Sequence, residues 1–367
     1  MEVKSFVSDI AKYKYFISAF LFSLVLSGCT EKAFKGDLVS FKSVESEKTV
    51  KPEIYEMKDS HIPLFAVSDT IVLFYNSMAE GFSFSAFNLE SGKLLGKFFP
   101  CGHGHGEYVT VSPVFQIFEE KGQKKTLIQA PNEDYVMIWN ITKSLETGST
   151  VCEKTTKYGY DENMPVSVFH CEIVDDDKVL TYRGGIHNPK TGEVTAPIWQ
   201  TWSYDGSKHL MDISLFRPIK NDDPNVMPES FFAGAASVKP DRTKFVEAML
   251  YLPQITIVDV KSGKGKGFLM KDLDDYSIFS TDMSGASYYY RDVQSSDDFI
   301  FALWSGKQIK EYKMEEGMDE VHVFDWDGNM IKKIRLSEPV QKIFLDTKRN
   351  VLYGCNAEGD RLYRYEI

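Results

Sequence analysis

Leu26-Ser27-Gly28-Cys29 has the order a lipidation signal requires: small residues before a scissile bond, then a thiol to accept a diacylglycerol group. Downstream, His103, His105 and Glu107 alternate with glycines. In an extended segment all three project to one side and would share a metal ion, although the glycines leave that geometry loose. The segment is therefore read as a backbone turn packed between elements, and no metal is assigned. His170, Arg183 and Arg291 would offer charge to an anionic or sugar ligand, against the competing account that local acids such as Asp292 neutralise them. Trp304 would stack on a sugar if it faces the same mouth, and otherwise belongs to the aromatic core.

Other chemistry is thinly supported. The acidic run at 175–177 and the trio Asp272, Asp274 and Asp275 lack the glycine and terminal glutamate of a calcium loop. No Gly-x-Ser-x-Gly elbow, His-Glu-x-x-His pair or phosphate loop occurs, and Gly263-Lys264-Gly265-Lys266-Gly267 lacks the spacing of the last. No catalytic residue and no cofactor is assigned. A formal charge of −11 speaks against a nucleic-acid partner, which would need a clustered basic surface.

The N-terminus explains the lipidation signal. Lys4, Lys12 and Lys14 flank an apolar run at 15–26, which as a helix would span only about 18 Å of a roughly 30 Å hydrocarbon core. A cleaved signal peptide over 1–28 fits better than an anchor, with an acylated tether over 29–37. Thr30 stands where an aspartate would favour inner-membrane retention, so the expected address is the cell envelope, at the outer membrane, on its periplasmic or surface face. Cys101, Cys152, Cys171 and Cys355 would suffice for two bridges, but a chain this long does not need them, and free thiols are the simpler reading.

Everything after the tether must position these residues, and its pattern is β. Six times an apolar run, a polar turn and a second apolar run recur: 64–67 with 71–75, 114–118 with 126–130, 169–174 with 179–183, a vaguer start leading into 245–249, 288–293 with 299–304, and 340–345 with 351–355. A third run follows each pair, at 84–89, 135–141, 199–204, 255–260, 321–326 and 362–367. Turns such as Ser91-Gly92-Lys93, Asp205-Gly206 and Asp327-Gly328-Asn329 supply the positive-φ positions of tight hairpins. The fold expected over 38–367 is an all-β six-bladed β-propeller with four-stranded antiparallel blades. The sixth unit stops after three strands, so an N-terminal strand at 38–41 is expected to close the ring.

The lipidation signal, the six units and Gly102-His103-Gly104-His105-Gly106-Glu107-Tyr108 together resemble the TolB-like six-bladed propeller lipoproteins of Bacteroidetes, which carry a Gly-x-Gly-x-Gly-Glu-aromatic segment after the first blade. The resemblance implies a propeller at the envelope and no particular activity. The function expected is a non-catalytic platform, held to the membrane through its lipid, that binds an envelope protein, a small molecule or a glycan. The alternative is a propeller enzyme, a lactonase-like hydrolase or a glycan lyase, with a divalent cation in the central channel. That would need carboxylate, Asn or His ligands converging from several blades.

Overall fold

Runs of β-branched and aromatic residues, ended by Asp-, Asn- and Gly-rich turns, fold into six successive antiparallel meanders. The computed structural model describes residues 33–45, 47–57, 61–76, 81–130, 135–158, 168–188, 190–220, 231–271, 276, 285–313 and 316–367. Residues 1–28, expected to be a signal peptide, and Cys29 lie outside them. No helix among the described residues is long and apolar enough to cross a membrane.

Blade 1 runs Phe65–Ser68, Ile71–Tyr75, Phe82–Asn88 and Leu94–Pro100 from the axis outward. Blade 3 is built from Val168–Asp175, Lys178–Arg183, Ile198–Ser203 and His209–Ile213, and blade 4 from Gly234–Val238, Lys244–Met249, Gln254–Asp259 and Gly265–Met270. Blade 5 comprises Ser287–Ser295, Phe299–Gln308, Met318–Asp325 and Met330–Val340. Blade 2 departs from the pattern. Its inner strand is split into Ser112–Pro113 and Phe118–Glu120, both paired with Gln123–Ala130, and Phe115 between them takes a positive φ of 56°. Tyr135–Asn140 and Cys152–Thr156 complete it, separated by a helix at Ile141–Thr147. Asn140 caps that helix and Gly148 ends it in the left-handed region, two signals that the strand reading passed over.

The core lies between the blades. Phe84 and Phe98 of blade 1 pack on Trp139 of blade 2 with ring centroids 5.2 and 5.5 Å apart, and Trp199 of blade 3 meets Phe245 of blade 4 at 4.9 Å. Apolar clusters likewise join blades 2 and 3, 4 and 5, 5 and 6, and 6 and 1. Each sheet thus buries both faces against its neighbours.

The N-terminal segment is where sequence and structure part. Residues 38–41 do not complete the sixth blade. Asp37–Phe41 adds in parallel to the outer strand of blade 4, and Glu47–Val50 adds in parallel to that of blade 5. The outer position of blade 6, beside Lys342–Asp346, Val351–Cys355 and Arg361–Glu366, is held by Pro52–Glu56 in antiparallel register. Blade 4 captures the earlier segment because its outer strand reads Gly265-Lys266-Gly267. A Cβ on Gly267 would lie 2.9 Å from the Leu38 side chain and 3.0 Å from Phe34, so the missing side chain is the seat for both. Phe34–Asp37, read as the end of the tether, is packed there too: the Lys35 N–H donates to the Leu215 carbonyl at 2.8 Å.

Trimming the chain from its N-terminus to residue 50 should therefore cost less than trimming it to residue 57. The second cut takes a paired strand from a four-stranded blade, with ladder bonds worth about 0.5–1.5 kcal/mol each, and exposes an edge. Urea unfolding and solubility measure the difference, and equal midpoints would remove Pro52–Glu56 from the closing role.

Candidate functional site

Two cavities lie along the propeller axis, each walled by residues from all six blades. One, of about 420 Å³, sits by the first hairpin turns, among Asp69, Lys124, Lys239 and Asp346. The other, of about 310 Å³, sits where the inner strands begin, among His170, Tyr182, Trp199, Glu247, Arg291 and Lys342.

Most polar side chains of the inner strands are committed to holding neighbouring blades. Gln116 donates to the Ile173 carbonyl at 2.9 Å and accepts from its N–H at 2.6 Å. Glu172 accepts from the Val238 N–H at 3.2 Å and also pairs with His170. Asp292 accepts from Lys342 Nζ at 3.0 Å and from the Ile343 N–H at 2.9 Å. A local acid, Glu172, thus pairs with His170, whereas Arg291 has none among the described residues, because Asp292 turns to the next blade.

Arg291 reaches the smaller cavity because the strand is bulged there. Tyr290 pairs with Trp304 and Asp292 with Leu303, leaving Arg291 as the extra residue, and such a bulge re-aims a side chain. Its guanidinium lies 5.4 Å from the ring centres of both Tyr288 and Tyr312, an arrangement that holds it in place. No carboxylate among the described residues pairs with it.

Glu247 was not singled out by sequence reasoning, because it sits on a second strand. It reaches the cavity past an inner strand of small residues, Gly234-Ala235-Ala236. The residue is 4% exposed. Its Oε1 accepts from Trp199 Nε1 at 3.3 Å, and its Oε2 has no partner among the described residues. Burial pushes its carboxyl up to about 7, only partly offset by the Trp199 bond. The one legible signal is a lone acid in the apolar run Phe245-Val246-Glu247-Ala248-Met249.

The other residues chosen from sequence fall elsewhere. Arg183 donates to the Tyr158 carbonyl at 3.1 Å, and neither Arg183 nor Trp304 lines a cavity described here. Trp304 stacks on His322 at 4.6 Å and packs against Tyr290 at 5.1 Å, inside blade 5. His103, His105 and Glu107 are exposed on the connection from blade 1 to blade 2. That loop is closed by the Tyr108 N–H on the Pro100 carbonyl and the Gly102 N–H on that of Tyr108. Glu107 folds back to accept from the Gly104 N–H at 2.8 Å, while Tyr108 anchors the loop on Phe99. Among the described residues no three His, Cys, Asp or Glu side chains converge as a metal site. Cys101, Cys152, Cys171 and Cys355 form no disulfide among the described residues, and burial pushes Cys152 up to about 11.

Residues 217–348, which run from the approach to blade 4 into blade 6, match the family described as TolB-like 6-blade propeller-like. The resemblance to the TolB-like propellers holds. The fold is similar to that of a solved member of the DUF4221 family from Bacteroides vulgatus, at 11% identity and a TM-score of 0.56, covering 88% of this chain and 97% of that one. A calcium-binding protein, regucalcin, from Agrobacterium tumefaciens aligns over 88% of this chain and 96% of its own at 13% identity and a TM-score of 0.47. None of the curated proteins matches the sequence. At these identities the DUF4221 likeness speaks to fold alone.

Two expectations follow from the geometry. Between pH 4.5 and 7 the native state holds the Glu247 proton that the unfolded chain releases, so this residue's contribution to stability falls as pH rises through that window and is level above it. The full swing is on the order of 3 kcal/mol. Glu247→Gln should be more stable than the parent at pH 8, with the advantage vanishing near pH 4.5 in urea unfolding, and a pH-independent difference would sink the account. On the loop, Gly106 holds a φ of 77°, so Gly106→Ala should cost about 1 kcal/mol, whereas His103→Ala with His105→Ala should melt like the parent.

Proposed function

We propose that this protein is a non-catalytic envelope lipoprotein whose propeller is a binding platform, with the smaller axial cavity as its ligand site. The observation that carries the reading is the contrast inside that cavity. Polar groups from most blades are bonded to neighbouring strands, while Arg291 and Glu247 line the space and Arg291 Nε and Glu247 Oε2 have no hydrogen-bond partner among the described residues. Groups left in that state on a rigid frame suit recognition of a polar ligand. The lipid on Cys29 would hold the platform at the outer membrane.

Two measurements test the two halves. Cys29→Ala should move the protein from the membrane pellet to the soluble fraction with its melting temperature unchanged, and an unaltered distribution would defeat the anchor. Native mass spectrometry of the protein exposed to an envelope extract should show a small-molecule adduct. Ala236→Trp, which fills the cavity wall, should abolish it. An adduct that survives in the folded Ala236→Trp protein, or none in the parent, removes the channel as the site.

A further inference from the structure

Resting on that channel reading, we infer that the ligand is a small acidic carbohydrate, a uronic-acid ring whose carboxylate meets Arg291 and whose hydroxyl meets the unpartnered oxygen of Glu247. Arg291 presents a planar fork of donors matched to a carboxylate and lies beside two tyrosine rings, which position it without neutralising its charge. A neutral sugar would leave that charge unanswered in the cavity wall. The opposing demand comes from Glu247, on the adjacent blade. Its surroundings hold no cation bonded to it, and burial favours the neutral carboxyl, which both donates and accepts. A hydroxyl satisfies such a group in either role, whereas an ammonium ion needs it ionised.

The rest of the wall fits the same class. Tyr182 and Trp199 border the cavity beside the Asp292–Lys342 pair, giving apolar ring surface next to polar edges, as a pyranose requires. A volume of about 310 Å³ is at the small end of ligand sites, suited to one ring and not to a polymer. The inference thus distinguishes three ligands of similar size: an acidic sugar, a neutral hexose and a zwitterionic amino acid.

Titration calorimetry of the full mature chain at pH 7 with glucuronate, galacturonate, glucose and serine tests it. One of the two uronates should bind at least about tenfold more tightly than glucose, and serine should not bind, a tenfold step being about 1.4 kcal/mol. Arg291→Gln should abolish the preference for the uronate over glucose. Glu247→Gln should keep uronate binding within about threefold, while Glu247→Leu should weaken it at least about tenfold. Melting curves establish that each variant is folded, and Arg291→Lys, which keeps the charge but not the fork, serves if Arg291→Gln is not.

Equal binding of uronate and glucose, or uronate binding unchanged in Arg291→Gln, overturns the inference. So does serine binding that is lost in Glu247→Gln, and so does failure of both uronates to bind the parent. In each case the adduct experiment decides separately on the platform. An adduct of another class, lost in Ala236→Trp, leaves the channel reading standing and removes only the acidic sugar.

Discussion

The structure depends on hydrogen bonds from the side chains of one inner strand to the backbone of the next. Gln116 joins blade 2 to blade 3, Glu172 joins 3 to 4, Ser295 joins 5 back to 4 through the Val238 carbonyl at 3.0 Å, and Asp292 joins 5 to 6. The apolar faces between blades supply most of the driving force, but burial is non-directional and leaves neighbouring sheets able to slide. Directed bonds at the axis remove that freedom. Those accepted by carboxylates are the stronger kind, about 1.5–3 kcal/mol each. A wall assembled from six separate sheets is then fixed well enough to recognise a shape.

These commitments also determine what remains available. Asp292 would be the natural counter-ion of Arg291, its neighbour in sequence, yet its oxygens serve Lys342 and Ile343 in the next blade. The bulge at Arg291 separates the two side chains, sending one to structure and the other to the cavity. Glu172 plays both parts on blade 3, holding Val238 and pairing with His170. The site is the remainder after the ring has used the acids it needs.

Strand pairs were legible because each is a short apolar run beside a turn of fixed chemistry; four of the six inner hairpins fall within a few residues of their expected places, and the fourth unit was placed only at its second strand. The other exception, blade 2, breaks where Phe115 adopts a positive φ that its residue type does not announce. The outer strand of blade 6 was missed for a physical reason. Pro52–Glu56 begins with proline, carries two glutamates and leaves Ile54 half exposed, all marks of an outer edge. The more apolar 38–41 looked the better strand, but its side chains suit the glycine seat on blade 4. At the site, His170 and Arg291, read as inner-strand residues, both line the smaller cavity. Glu247 was hidden because its access depends on the size of residues one strand away.

The two unpartnered groups share a property that the structural residues lack. Glu247 puts a carboxyl into an apolar second strand, and Arg291 interrupts the register of the longest hairpin at the axis. Each breaks a local rule of β-structure at a cost in stability, and Glu247 Oε2 and Arg291 Nε have no hydrogen-bond partner among the described residues. Gln116, Glu172 and Asp292 are equally polar and equally central, but each has a bonded partner in the adjacent blade. Polarity at the axis therefore does not mark the site; polarity without a return does. Two such residues on adjacent blades, lining one cavity, are better explained by a ligand that satisfies both than by two independent lapses in packing.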